Sequence, residues 1–189
     1  MTNRCEWCGT EEVYVKYHDK EWGVPVYDDQ KLFEMLILEG AQAGLSWITI
    51  LKRRETYRIA YNNFDPKIIV NWDDKKISEL LEDPGIIRNK LKVVAAKLNA
   101  QKFLEIVEEY GSFKKYIWSF VEGKPIQNNF KKMADIPATS KDSDAMSKGL
   151  KKKGFKFVGS TICYAYMQSV GMVNDHVISC FRHTELQNS

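Results

Sequence analysis

Residues 151–161 read KKKGFKFVGST, which is a basic helix end followed by a tight glycine turn and the start of a new helix. A helix N-terminus behind a glycine turn presents free backbone N–H groups, and neighbouring lysines add the positive charge that holds a DNA phosphate. We interpret this pattern as a helix-hairpin-helix, against the alternative of a solvated lysine run beside an ordinary turn. Its candidate DNA contacts are Lys153, Lys156, Gly159, Ser160 and Thr161.

Helical periodicity dominates the rest of the chain. Apolar residues recur at helical spacing between Leu32 and Ile37, behind the acidic starters Asp28 and Asp29, and predict an amphipathic helix that ends near Gly40. No segment shows the period-two alternation of a β-strand, so we expect an all-α fold. Further helices are predicted from Ser46 to Leu51, from about Arg88 to Tyr110, from Ser112 to Phe120, from Ser143 to Gly154 and from Gly159 to Gly171.

Local signals add detail to this pattern. The pairs Asp65-Pro66 and Asp83-Pro84 each predict a helix start or a turn. Polar residues and prolines mark residues 123–143 as an ordered loop between two helical parts. The residues expected to face inward on the helix from Arg88 are Leu91, Val94, Ala95 and Leu98.

The length of 189 residues and the hydrophobic fraction of 44% allow one sizeable core, so we expect a single domain over residues 1–189. No apolar run is long enough to span a membrane, and the N-terminus lacks the apolar segment of a secretory signal. We therefore expect a cytoplasmic protein with no membrane partner. The net charge of +3 is compatible with a polyanion partner but does not identify one.

Cysteine and histidine residues near the two chain ends form a candidate metal site. Cys5 and His18 lie near the N-terminus. His176 and Cys180, near the C-terminus, are four residues apart, which on a helix places both on one face. Two sulfurs and two imidazoles make a closed tetrahedral zinc set. The alternatives are buried cysteines with unrelated histidines, a rival ligand pair of Cys5 with Cys8, and a catalytic zinc with an open position.

A further candidate site combines aromatic residues with one carboxylate. Glu39 and the small-residue stretch GAQAGLS of residues 40–46 occur together with Tyr17, Trp22 and Trp47. An extruded nucleobase needs flat apolar faces and a few polar groups for its edge, and these residue types supply both. The alternative is that the tryptophans are core residues and Glu39 is a charge at a helix end.

Four strings in these regions resemble the DNA-3-methyladenine glycosylase I family, and the similarity extends from about Arg4 to Cys180. The family belongs to the helix-hairpin-helix glycosylase superfamily, so the resemblance implies an all-α fold of two lobes with the base pocket between them. It also implies a structural zinc, held by all four residues of the candidate metal site, that joins the N- and C-terminal segments. The strings are YHDKEWGVP at residues 17–25, LEGAQAGLSW at 38–47, GFKFVG at 154–159 and NDHV at 174–177.

The same resemblance implies roles for the residues of the pocket. Glu39 would be the catalytic residue and would accept a hydrogen bond from the base. Tyr17 and Trp47 would contact the base, and Trp7 and Trp22 would form further walls.

A separate segment is implied to probe the DNA. Its residues are Gln42, Gly44 and Leu45, and Leu45 would fill the gap that the flipped base leaves. Cys8 and Cys163 have no role in the family pattern, and we interpret Cys163 as core packing.

The activity implied by the resemblance is repair of alkylated double-stranded DNA, in which 3-methyladenine is flipped out, its N-glycosidic bond is hydrolysed and the free base is released. Many superfamily relatives carry a catalytic aspartate where this chain has Asn174. Bifunctional relatives keep a lysine just after the hairpin glycine, where this chain has Ser160 and Thr161. We therefore expect a monofunctional, monomeric enzyme that leaves an abasic site. The alternative function is a non-catalytic, zinc-containing helix-hairpin-helix module that only binds damaged DNA.

Overall fold

A computed structural model describes residues 3–187 of the chain. It is mostly helical, in agreement with the periodicity of the sequence. The helices are α1 Glu12–Lys20, α2 Asp29–Gln42, α3 Trp47–Leu51, α4 Arg54–Ala60, α5 Pro66–Ile69, α6 Asp74–Glu82, α7 Lys90–Tyr110, α8 Phe113–Trp118, α9 Lys141–Lys152, α10 Ser160–Ser169 and α11 Phe181–Gln187. Two short strands, β1 Ile126–Gln127 and β2 Val173–Asn174, pair in parallel.

Several helices begin at the residues that the sequence predicts. The carboxylate of Asp28 accepts a hydrogen bond from the Lys31 backbone N–H at 2.8 Å and so caps α2. Asp65 caps α5 in the same way, and Ser112 caps α8. Asp83 instead follows the end of α6 and opens a turn.

Helix α2 lies at the centre of the core. Its residues from Leu32 to Ala41 are all buried, because α3, α7, α8 and α10 pack against different sides of it. A helix that is covered on every side cannot keep a polar face. The position of Glu39 on this helix therefore places a carboxyl inside the protein.

The inward face of α7 differs from the expectation. Leu91 is 73% exposed and Val94 is 42% exposed, so the prediction for these two residues is wrong, whereas Ala95 is buried as expected. The buried stripe runs one position away, through Val93 and Ala96, because α2 and α5 contact that side of the helix. Helix α7 carries two apolar stripes, and periodicity alone does not say which one meets the core.

The loop expected over residues 123–143 is shorter and more structured than predicted. It contains β1, which pairs with β2 and so departs from a purely helical fold, and a 3-10 turn at Met133–Asp135. Helix α9 already begins inside it, since Ser140 and Ser143 cap one another through reciprocal hydrogen bonds. Within residues 3–187, no helix combines the length and apolar character that crossing a bilayer requires.

A close backbone contact joins residues 23–26 to the end of α10. Gly171 has φ +69°, and a Cβ atom there would lie 2.3 Å from the carbonyl carbon of Val24 and 2.4 Å from the nitrogen of Pro25. Hydrogen bonds from Gly23 to Gln168 and from Val26 to Val170 hold the two segments together. Only glycine fits at this crossing.

We expect Gly171→Ala to lower the free energy of unfolding by about 3 kcal/mol or more, because backbone must move to admit the methyl group. The matched control is Gly123→Ala, which has a similar φ of +75° but open space around the added carbon. Its cost should be about 1–2 kcal/mol. Urea unfolding of both variants measures the difference, and equal costs would show that the crossing is not rigid.

Candidate active site and metal-ligand cluster

Four ligand-type side chains meet where the two ends of the chain come together, and we call Cys5, His18, His176 and Cys180 the Cys/His cluster. All four residues are buried, and their sulfur and nitrogen atoms lie within 4.8 Å of one another. The Sγ atom of Cys180 is 3.5 Å from His18 Nε2 and from His176 Nδ1. Cys5 Sγ is also 3.5 Å from His176 Nδ1. This arrangement can hold a metal ion.

Hydrogen bonds outside the cluster orient both imidazoles. His18 Nδ1 is 2.8 Å from the carboxylate of Asp19, and a hydrogen bond from Arg4 lowers the pKa of that carboxyl to about 2. Because an ionised carboxylate only accepts, Nδ1 carries the proton and Nε2 directs its lone pair into the cluster. His176 Nε2 donates to the carbonyl oxygen of Trp22 at 3.0 Å, which leaves Nδ1 free in the same way. Such outer hydrogen bonds are typical of histidine ligands.

The structure shows where Cys8 lies relative to the cluster and which conformation joins His176 to Cys180. Cys8 lies outside it, since its sulfur donates to the carbonyl oxygen of Cys5 at 3.2 Å. The expectation that His176 and Cys180 share a helix face is wrong, because a hydrogen bond of 2.7 Å from Cys180 to Val177 closes a turn there. A tight turn returns residues four apart to one side as well as a helix does.

A cavity of about 240 Å³ lies beside the cluster. It contains every residue that the sequence analysis assigned to base binding, together with Glu39 and Gln42. Most of its surface is aromatic or aliphatic. The lining residues are Trp7, Tyr14, Tyr17, Trp22, Glu39, Gln42, Trp47, Met133, Ile136, Ala165 and Gln168.

The aromatic walls contact one another and the Cys/His cluster. The rings of Tyr17 and Trp47 are 5.5 Å apart, and those of Trp7 and Trp22 are 5.0 Å apart with edge-to-face geometry. Trp22 also packs edge-to-face on His176, with ring centres 4.6 Å apart. Edge-to-face packing of this kind fixes ring orientation, so the cavity is formed before any ligand enters.

Glu39 is the carboxylate of the cavity. It is only 3% exposed, and no lysine, arginine or histidine of residues 3–187 forms an ion pair with it. Burial raises the pKa of this carboxyl to about 8, and the Ser169 hydroxyl lowers it by a smaller amount. A carboxyl in such surroundings can ionise when a cation or a hydrogen-bond donor enters the cavity beside it.

Sequence reasoning missed several residues of the cavity. Met133 and Ile136 come from the loop before α9, and no periodic signal marks them. Gln168 lies one helical turn after Ala165, so the face of α10 that carries both residues could have been found from the predicted helix.

A buried carboxylate fixes the orientation of the Gln168 amide. Asp175 accepts hydrogen bonds from Gln168 Nε2 at 2.8 Å, from the Tyr164 hydroxyl at 2.7 Å and from Asn128 Nδ2 at 2.7 Å. Because the carboxylate only accepts, the amide nitrogen of Gln168 faces it and the amide oxygen faces away. The neighbouring Asn174 is buried and donates to Gln127 and to the carbonyl oxygen of His183, so it ties β2 to its surroundings.

The glycine turn between α9 and α10 has the expected form. Gly154 has φ +95°, and Gly159 precedes α10 without any side-chain cap, which leaves the first N–H groups of α10 free. Lys156 is exposed beside them. Two of the expected contacts are engaged within the chain: Lys153 Nζ lies 2.5 Å from the Glu109 carboxylate, and the Ser160 hydroxyl donates to Asp144.

The segment of residues 42–45 borders the cavity. Gln42 lines it, while Gly44, at φ +79°, and Leu45, at 41% exposed, project into solvent. A second depression, bordered by Glu39, Leu45 and Thr161, lies between this segment and the start of α10. The segment and the start of α10 thus flank one depression.

Comparisons with known proteins agree with these features. A family model described as methyladenine glycosylase matches residues 7–183. DNA-3-methyladenine glycosylase of Haemophilus influenzae is 48% identical over 180 residues, which cover 95% of this chain and 97% of that protein. DNA-3-methyladenine glycosylase 1 of Escherichia coli is 48% identical over 94% of this chain and 95% of its own. A crystal structure of a tyrosine-to-phenylalanine variant of 3-methyladenine DNA glycosylase I, in complex with 3-methyladenine, has a TM-score of 0.92 at 36% identity and covers 95% of this chain and 97% of that one.

The raised pKa of Glu39 predicts a specific pH dependence of stability. The folded carboxyl, with its pKa of about 8, holds its proton more tightly than the unfolded one at 4.5, so the stability that it contributes is full below pH 4.5 and is lost as the pH rises towards 8. Between pH 5 and 8 the wild type should lose on the order of a few kcal/mol that Glu39→Gln does not lose. Urea midpoints of both proteins across this range measure the difference, in which other titrating groups cancel. Parallel curves would contradict the assignment.

Proposed function

We propose that this chain, which belongs to the methyladenine glycosylase family, removes 3-methyladenine from alkylated DNA by hydrolysing the bond between the base and its sugar. It is a DNA repair glycosylase, a hydrolase of N-glycosyl bonds. The observation that carries the proposal is the buried carboxyl of Glu39, which has no cationic partner among residues 3–187, in a cavity with aromatic walls. The free base is the ligand of the similar structure described above.

Charge explains how such a cavity selects an alkylated base. Methylation at N3 places positive charge on the purine while it is still attached to the sugar. An ionised carboxyl is costly in an apolar site, and a cationic base offsets that cost, whereas neutral adenine does not. Glu39 thereby favours the damaged base, accepting a hydrogen bond from the base, and the aromatic rings supply stacking. Extrusion adds selectivity, because damaged bases unstack more easily.

The same charge reduces the catalysis required. The cationic base departs as a neutral molecule, so the leaving group needs no protonation, and water attacks the sugar carbon. None of the cavity residues within 3–187 is a lysine, and Ser160 and Thr161 occupy the start of α10. With no amine to form a Schiff base, the enzyme is monofunctional and leaves an abasic site.

DNA binding uses the glycine turn as a helix-hairpin-helix. A phosphate lies on the free N–H groups of α10, near Lys156, and Leu45 fills the gap left by the extruded base. The cavity lies between two helical lobes of one domain, residues 1–189. Its lining supports this, because the N-terminal segment, α2, the loop before α9 and α10 all contribute to it.

The Cys/His cluster binds one structural zinc. In a tetrahedral site with Zn–S bonds of about 2.3 Å and Zn–N bonds of about 2.0 Å, neighbouring sulfur and nitrogen ligands lie about 3.5 Å apart, as they do here. Four protein ligands leave no position for water, so this zinc would stabilise the fold without taking part in the reaction.

We expect the wild type to release free 3-methyladenine from methylated duplex DNA and to leave the strand intact. Glu39→Ala should lower single-turnover release by about ten- to a hundredfold, because a hydrogen bond to a buried charged group is lost. Glu108→Ala, an exposed carboxylate on α7, is the control and should keep wild-type rate. If the wild type binds methylated duplex without releasing base, the protein is a non-catalytic binding module instead.

Replacement of Cys180 by Ser should remove the metal and lower thermal stability together, because the free energy of structural metal binding is part of folding. Cys163→Ser is the matched control, since Cys163 is also buried but lies outside the cluster. It should keep its metal. Elemental analysis with thermal unfolding measures both effects, and full zinc content in Cys180→Ser would exclude that residue as a ligand.

A further inference from the structure

We propose that α7 sets the spacing between the two DNA-contacting segments, with Lys92 holding residues 42–45 and Asn99 holding the glycine turn. Both are positioning residues and touch neither the base nor the reacting atoms. The inference rests on the proposed function, since it assumes that these two segments bind DNA.

Lys92 tethers the segment of residues 42–45 at its helical end. Its Nζ atom donates to the carbonyl oxygen of Ala41 at 2.7 Å and to that of Ala43 at 2.6 Å. These are carbonyls at the C-terminal end of α2, where helical partners run out. Within residues 3–187, no other side chain hydrogen-bonds to the backbone of residues 41–45. Apart from the backbone hydrogen bonds from Leu45 to Gln42 and from Ala43 to Gly40, the ammonium group of Lys92 is the polar contact that restrains this exposed segment within residues 3–187.

Asn99 holds the glycine turn at two points. Its Nδ2 donates to the carbonyl oxygen of Lys156 at 3.0 Å, and its Oδ1 accepts from the Lys156 backbone N–H at 2.8 Å. The Asn99 side chain is buried, and both bonds are partly shielded from water. The next residue, Phe157, has φ +55°, an unusual conformation for a bulky side chain, which the clamp on Lys156 helps to maintain.

The two clamps lie on one face of α7. Lys92 and Asn99 are seven residues, or two turns, apart, which corresponds to about 10.5 Å along the helix. Helix α2, which leads into the segment of residues 42–45, packs against the glycine turn, since a Cβ atom on Gly40 would lie 3.2 Å from the Cβ of Phe157. Helix α7 thus fixes the distance between the segment proposed to probe the duplex and the turn proposed to hold its phosphate.

A fixed spacing matters for extrusion and not for binding the free base. The leucine that fills the gap and the phosphate anchor must meet the duplex at the same time, and a small misplacement of either lowers the fraction of bound complexes with the base flipped out. Free 3-methyladenine needs only the cavity, which neither Lys92 nor Asn99 lines. The two measurements therefore separate positioning from general damage to the fold.

The first test compares Lys92→Met, Lys92→Arg and Lys90→Met. We expect Lys92→Met to lower single-turnover excision from methylated duplex by about tenfold, while its affinity for free 3-methyladenine, measured by tryptophan fluorescence, stays within about twofold of wild type. Lys92→Arg keeps the charge and the donors and should restore most of the rate. Lys90→Met removes an exposed lysine at the start of the same helix and should leave the rate unchanged.

Two outcomes would overturn the role of Lys92: wild-type excision by Lys92→Met, or a parallel loss of free-base affinity in that variant. An equal defect in Lys90→Met would assign the effect to charge and so overturn it too. Failure of the proposed function is distinguishable, because the wild type itself would then release no base.

The second test uses Asn99→Ala and the double variant. Asn99→Ala should weaken binding to damaged and undamaged duplexes alike, with free-base affinity unchanged. If both residues maintain the same spacing, either single substitution already disturbs it. The single-turnover excision rate of the Lys92→Met/Asn99→Ala double variant should therefore fall by less than the product of the falls in the two single variants. A fully multiplicative loss of excision rate would show that Lys92 and Asn99 act independently and would overturn the proposal that α7 sets one spacing. Normal duplex binding by Asn99→Ala would do the same.

Discussion

The convergence of four buried cysteine and histidine side chains is the constraint on which the cavity depends. Trp7, Tyr17 and Trp22 belong to residues 3–22, in which the structure shows a nine-residue helix and a 3-10 turn. So short a segment cannot bury a core of its own. The Cys/His cluster joins this segment to the C-terminal residues, alongside the hydrogen bond from Gly23 to Gln168 and the ion pair of Glu21 with Arg54. His176 and His18 also pack directly against the rings of Trp22 and Trp7. Loosening the cluster would therefore move the walls of the cavity.

Helix α2 carries a residue, Glu39, that lowers stability but serves the proposed function. A helix buried on every side would be most stable with apolar residues throughout, yet α2 carries Glu39 inside the protein with no cationic partner among residues 3–187. Protonation in the free enzyme reduces the cost, which is why the pKa of this carboxyl rises to about 8. In the proposed function, a cationic base that enters the cavity supplies the positive partner that Glu39 lacks among residues 3–187. In the proposed function, selectivity thus comes from an ion pair that Glu39 forms only with the cationic base.

Sequence patterns predicted the helices well because their caps and periodicity are local. The resemblance in residues 17–25 and 38–47 is confirmed by the family match, and the residues named for the cavity do line it. Other features depend on partners that no local pattern specifies. The exposure of Leu91 follows from which face of α7 meets α2 and α5, and Met133 reaches the cavity from an irregular loop. Lys92 looks like an ordinary surface lysine until the end of α2 is placed beside it.

The positive charge of the glycine turn is smaller than its lysine content suggests. Lys153 is paired with Glu109, and the carboxylate of Asp144 contacts Ser160 at the start of α10. A lysine already paired within the protein contributes little counterion release, so in the proposed mode of DNA binding the phosphate affinity would rest on the remaining exposed lysines, such as Lys156, and on backbone N–H groups. With a net charge of only +3, long-range attraction to DNA is also modest. In the proposed function, a weak, sequence-independent hold would let the enzyme leave undamaged DNA quickly, and discrimination would depend on the cavity, where a cationic base meets the buried carboxyl of Glu39.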